Sequence, residues 1–236
     1  ILLCPGAQDE PSADYYTNGF TWYPGDPSLK FFFCAVYHHH SDLVDVRLAV
    51  SHDGKAFNWV SQDPIIEIGN PGAWDSGSIY ACPNLVHLPD GGLALPYRGS
   101  EMTHNEFYPT FYEEYPEGRS GYAWATWEEG RLAGIEASDH GEFFTKPAPF
   151  EADHIEINAR TTKVGRIDVA VWEAISGFCS RPLDGYTFED HVPFTGDTTW
   201  TSCRWKGKRD LSELKGKNIQ LHIRMSSAKI FGYRYA

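Results

Sequence analysis

The chain has 236 residues, 42% hydrophobic and 15% aromatic, with 8 Trp and 13 Tyr, enough apolar content for one large β domain or two modest ones and too much for disorder. Its formal net charge of -12 repels a phosphate backbone or an anionic lipid surface. No interleaved run of Lys and Arg overrides that repulsion, so nucleic acid and membrane partners are disfavoured. The longest apolar runs, such as FFFCAVY from Phe31, stop well short of a membrane span.

In chain order, period-two alternation marks half-buried strands at Val44, Val46, Leu48 and Val50, then at Ile155 and Ile157. It returns at Ile167, Val169 and Val171, and at Ile219, Leu221, Ile223 and Met225. Asp53-Gly54, Asp90-Gly91-Gly92, Glu129-Gly130, Gly141 and Asp184-Gly185 punctuate these strands with residues that supply the positive φ of tight hairpins. A single short helical turn is expected at DLSEL, with Asp210 capping the amides that follow. The fold class is all-β.

The composition shifts near Gly141, from segments dense in Trp, Tyr and Pro to regular, more basic strands. Two domains are expected, 1–140 and 141–236. The first contains two segments of related plan, FTWYPGDPSLKFFFCAVYHHH…VDVRLAVSHDGKAFNWV and IYACPNLVHLPDGGLALPYRGS…GYAWATWEEGRL. Units of roughly 40 to 50 residues with four strands have the size of β-propeller blades. About three such units fit in the first domain, fewer than the four or more of a closed ring. Either blades lie outside the sequence, or self-association completes the ring, or the upstream part is an open sheet assembly.

The five cysteines, Cys4, Cys34, Cys82, Cys179 and Cys203, show no C-x-x-C spacing, and their odd number leaves at least one unpaired. Cys179 and Cys203 could pair. The sequence begins at Ile1 without a signal peptide, which implies a removed leader or a fragment. His38, His39 and His40 form the most metal-like feature. On a strand, His38 and His40 share a face and His39 points away, and zinc would need a further ligand such as Asp42, Asp45 or His104.

SHDGKAF, from Ser51 to Phe57, sets an Asp-Gly turn ahead of an aromatic that can pack beneath it. It breaks the sialidase pattern S-x-D-x-G-x-x-W, because Gly54 follows Asp53 directly. Read in order, DYYTN at Asp14, the apolar strand ending in Tyr37 and His38, SHDGKAF, WDSGSIY, LPYRGS with His104, and GRLAGIEASDHGEFFTKP resemble bacterial glycosyl hydrolases. These are relatives of the invertase and arabinanase enzymes, five-bladed β-propellers followed by a C-terminal β-sandwich.

The resemblance implies a secreted or periplasmic protein acting on a carbohydrate substrate without a cofactor, and a sandwich that buries Ile155, Ile157, Val169, Val171, Leu221 and Ile223. Glycoside hydrolysis needs two carboxyl groups flanking the scissile bond. The candidates are Asp14 and Asp75, each beside aromatics at the start of a blade, with Glu106 in reserve. His38, Tyr80, Arg98 and His104 are the candidate substrate contacts. YACP resembles the W-E-C-P segment that carries the acid/base Glu in the invertase group, but Ala81 stands at that position and cannot transfer a proton. The alternatives are a non-catalytic carbohydrate-binding protein on the same scaffold, or a metal-dependent hydrolase or lyase built on the histidine triplet.

Overall fold

A computed structural model describes residues 3–7, 9–107, 119–176, 179–208 and 210–236. The molecule is all-β and divides into two compact units, Ile1–Trp127 and Glu128–Ala236.

The first unit contains β1 (Ala13–Thr17), β2 (Phe20–Tyr23), β3 (Asp26–His38), β4 (Leu43–Ser51), β5 (Asn58–Trp59), β6 (Ser78–Ala81), β7 (Val86–His87), β8 (Leu93–Ser100) and β9 (Ser120–Trp127). Its strands form one sheet in the order β1-β3-β4-β6-β8-β7, with β2 on β3, β5 on β4 and β9 on β8. The run FFFCAVY is buried throughout because β3 is flanked by β1, β2 and β4. A strand covered on both faces reads as a continuous apolar run rather than an alternation. The β4–β5 turn is held by Asp53, whose Oδ1 accepts the amides of Lys55 at 2.8 Å and Ala56 at 3.0 Å, while Gly54 supplies φ 72°.

β4 and β6 meet at a single parallel pair, Val44 with Ser78. The groups on either side of this seam, β1–β5 and β6–β9, follow the two related segments of the sequence.

The second unit contains β10 (Ile135–Phe144), β11 (Ala148–Pro149), β12 (Ile155–Ser176), β13 (Cys179–Pro182), β14 (Asp197–Ser202) and β15 (Asn218–Tyr235). The order is β10-β15-β12-β13, with β11 on β15 and β14 on β12. Ile155, Ile157, Val169, Val171, Leu221 and Ile223 are all buried in its core, with Phe150, Tyr186 and Trp205. The division between units falls at Trp127 and Glu128 rather than near Gly141. The cause is β10, which pairs with β15 from Ile135 to Phe144 and so takes Gly141 into the middle of a strand.

DLSEL forms one 3-10 turn over Ser212–Leu214, and Asp210 Oδ1 accepts both the amide of Ser212 at 3.0 Å and its hydroxyl at 2.6 Å. Cys179 and Cys203 do not pair, and all five cysteines are free thiols.

Candidate functional site

Directly opposed residues on antiparallel strands project to the same face of the sheet. The pairs Asp14 with Tyr37 and Tyr37 with Val44, then Tyr80 with Arg98 and Arg98 with Tyr122, therefore lay one row of side chains across β1, β3, β4, β6, β8 and β9. Tyr80 packs against Tyr37 and Val44, which joins the two halves of the row across the seam. Tyr16 reaches the same face, with its ring 4.5 Å from His104 and 5.9 Å from Tyr37. At the far end β9 alternates strictly, leaving Tyr122 76% and Trp124 59% exposed.

Asp42 organises the centre of this face. It sits at φ 60° after the end of β3, a conformation that Asp tolerates better than most residues. Its carboxylate accepts the hydroxyls of Tyr37 at 2.8 Å and Thr103 at 2.5 Å, and the backbone and side-chain amides of Asn105 at 3.0 and 2.6 Å. Burial pushes the Asp42 carboxyl up, but the hydrogen bonds from Thr103, Asn105 and Tyr37 outweigh it and hold the group below the usual aspartate range. Burial and then the Asp42 charge raise the Tyr37 phenol. Asp42 is thus an ionised acceptor with its lone pairs occupied, and it fixes the 103–105 loop on the sheet. The buried His104 from that loop donates its backbone amide to the Asp42 carbonyl at 2.9 Å, and its Nδ1 lies 2.8 Å from the Tyr80 hydroxyl.

Asp14, Tyr80 and Arg98 therefore share one face of the sheet, with Asp14 at the β1 edge and His104 in contact with Tyr80. Asp14 is exposed, with Oδ2 2.7 Å from His39 Nε2, and the His39 ring lies 4.4 Å from that of Tyr37. Glu106 is exposed beside the cluster in a 3-10 turn over Asn105–Phe107, where its Oε2 accepts the Thr103 amide at 2.9 Å.

Asp75 and His38 belong to the opposite face. Tyr97, next to Arg98 on β8, points away from the row and donates its hydroxyl to Asp75 Oδ2 at 3.0 Å. Burial, then the Asp75 carboxylate, raises that phenol to about 12. Trp74 stacks on Tyr97 at 5.9 Å between ring centroids, over the cross-strand glycines Gly99 and Gly121. A Cβ at Gly99 would stand 2.6 Å from Asp75 Cβ and 2.8 Å from the Trp74 ring. Asp14 and Asp75 consequently do not flank a common point.

His38 follows Tyr37 and so projects to the other side, where its Nδ1 is 2.9 Å from Glu10 Oε2 and its Nε2 is 2.9 Å from Asp45 Oδ2. Asp45, whose carboxyl is raised by burial, also lies on that side. The strand ends at His38, so His39 and His40 lie in the turn that follows and the strand alternation expected of the triplet does not apply to them. The hydrogen bond from His38 is the main cause that lowers the Glu10 carboxyl, with a smaller contribution from His40, while His39 turns to Asp14. Among the described residues, no group of three or more His, Cys, Asp or Glu is placed to hold a metal ion.

Asn105, Tyr122 and Trp124 complete the site without having been singled out in the sequence, and Asp42 and His39, expected only as possible metal ligands, serve in it as hydrogen-bonding groups. The readable signal was SGYAWATW, where Tyr122 and Trp124 stand two apart among small residues.

No family model matches the chain, and no curated protein matches it. Among solved structures, that of a glycoside hydrolase family 43 arabinoxylan arabinofuranohydrolase from Bacillus subtilis in complex with cellotetraose is similar over 92% of this chain, at 10% identity and a TM-score of 0.26. The chain spans 53% of the length of that structure. A likeness at this score carries no argument about what the chain does.

Proposed function

We propose that the row from Asp14 to Tyr122 and Trp124 binds carbohydrate. The observation that carries this reading is the run of aromatic faces interleaved with planar hydrogen-bonding groups along one side of the sheet, ending in two highly exposed rings. Sugar rings offer apolar C–H faces to Tyr and Trp and hydroxyl edges to carboxylate, imidazole and guanidinium groups. In this reading β1–β5 and β6–β9 are blades of an incomplete propeller and the second unit is an appended sandwich. The protein is secreted or periplasmic and needs no cofactor.

Glycoside hydrolysis is the second reading, favoured by Asp14 and Glu106 sharing this face. Asp75 is left out of that pair. The hydrolytic acid must hold its proton near neutral pH, and the carboxyl that burial raises, Asp45, is on the other side of the sheet.

A glycan array followed by calorimetry on the best soluble oligosaccharide tests the proposal. Tyr122→Ala with Trp124→Ala should weaken binding by about tenfold or more, the loss of one or two stacking contacts, with an unchanged melting temperature. Undiminished affinity in that variant would overturn it. Release of reducing sugar by the wild type, abolished in Asp14→Asn, would establish the second reading.

A further inference from the structure

In the second unit, β10, β12 and β15 lose register at one level. β10 shifts between Ala137 and His140, β12 shifts between Thr161 and Arg166, and Ser227, which lies opposite both gaps, has φ 43°. Irregularities of this kind re-aim side chains and recur beside functional sites. The shared break opens a cavity of about 330 Å³, whose polar lining includes Arg160, Lys229, Glu136, Ser138, Thr162 and Ser227.

The lining itself carries two cations, Arg160 and Lys229, and one acid, Glu136. Four strands carry Glu136, Lys229, Arg160 and Asp197 in one cross-strand row, so two cations face each other directly, an unfavourable pairing. Glu136 is 3.2 Å from Lys229, and Asp197 is taken by Arg131 at 2.6 Å. Among the described residues Arg160 has no carboxylate within ion-pair distance. Its guanidinium lies 5.4 Å from the centre of the Phe231 ring, which Arg131 and Lys229 also approach, at 5.0 and 5.7 Å. An arginine set against a lysine, with its cross-strand acid Asp197 engaged by Arg131 instead, is a local attractor for an anion.

The geometry points to a site for a tetrahedral oxyanion, a phosphate or sulfate group free or as an ester, held by Arg160 and Lys229 with hydroxyls completing the shell. The planar guanidinium fork matches two oxygens of such a group. Ser138 and Thr162, which line the same cavity two residues along from Glu136 and Arg160, supply hydroxyl donors.

The test is amide chemical-shift titration of the full chain with inorganic phosphate, inorganic sulfate and a hexose 6-phosphate, each against chloride at equal ionic strength. Saturable shifts at residues 160–162 and 227–229 are expected with at least one of the three. Tighter binding of the hexose phosphate identifies an esterified ligand, and tighter binding of an inorganic ion identifies the free anion. Arg160→Gln should weaken binding at least about tenfold, whereas Lys163→Gln, a neighbouring charge outside the cavity lining, should leave it unchanged. Shifts that follow ionic strength equally in chloride, or affinities unaltered by Arg160→Gln, would overturn the assignment. So would equal weakening by both substitutions.

Discussion

Asp42 shows how one side chain can hold a loop and a sheet face together, with its carboxylate engaged by Tyr37, Thr103 and Asn105. Asp42→Asn turns half of the carboxylate into a donor that faces the donors of Thr103 and Asn105, and it should cost about 1–3 kcal/mol at neutral pH. The carboxyl is held below the aspartate value of 3.8. The folded state therefore binds its proton less readily than the unfolded chain, and the stabilisation is complete above that value and disappears as pH falls through the lower folded one. Urea midpoints measured from pH 7 downward should show wild type and variant converging in acid. A constant gap would mean that the charge on Asp42 contributes nothing.

At the scale of elements, the strands were legible from the spacing of their apolar residues. Val44, Val46 and Leu48 of β4 and the alternating residues of β12 and β15 lie in the cores. Faces were harder, because a side chain's direction depends on the parity of its position along a strand. WDSGSIY reads as a blade mouth with an acid beside an aromatic, yet its Trp74 and Asp75 precede β6 and fold back over β8. What admits them is the absence of side chains at Gly99 and Gly121, a requirement that no motif announces. Gly99→Ala would drive its methyl into Asp75 and Trp74. It should lower the melting temperature and shift the tryptophan emission maximum, while Gly121→Ala, whose Cβ would stand 3.7 Å from the Trp74 ring, should be milder. Equal effects of the two would refute this account of the loop.

His38 and His39 were hard to place for another reason: β3 ends at His38, so His38 keeps its strand direction toward Asp45, whereas His39 starts the turn and reaches Asp14. The composition shift near Gly141 misplaced the boundary for a related reason. Composition changes with surface chemistry, whereas the division of the chain follows strand pairing, and β10 pairs forward with β15.

For the molecule as a whole, the charge of -12 bears on which glycans the first unit would accept under the proposed function. Asp14, Asp42 and Glu106 lie on or beside the aromatic row, so neutral oligosaccharides should bind more tightly than uronate-containing ones of the same length. Raising the salt from about 0.05 to 0.5 M shortens the screening length and should narrow that difference. Calorimetry at the two salt concentrations measures it, and a salt-independent preference would place the discrimination in shape rather than charge.

The single rung between Val44 and Ser78 has a mechanical consequence. Two groups of strands joined by one backbone pair would part there under load before either group unravelled, and the binding face would tear between Tyr37 and Tyr80. The 103–105 loop, reaching over from β8 to clasp Asp42 beside β4, acts as a rivet across that joint. Under force applied along the sheet, its hydrogen bonds to Asp42 and Tyr37 would share the first load with those from Leu85 to Thr21 and from His87 to Pro24.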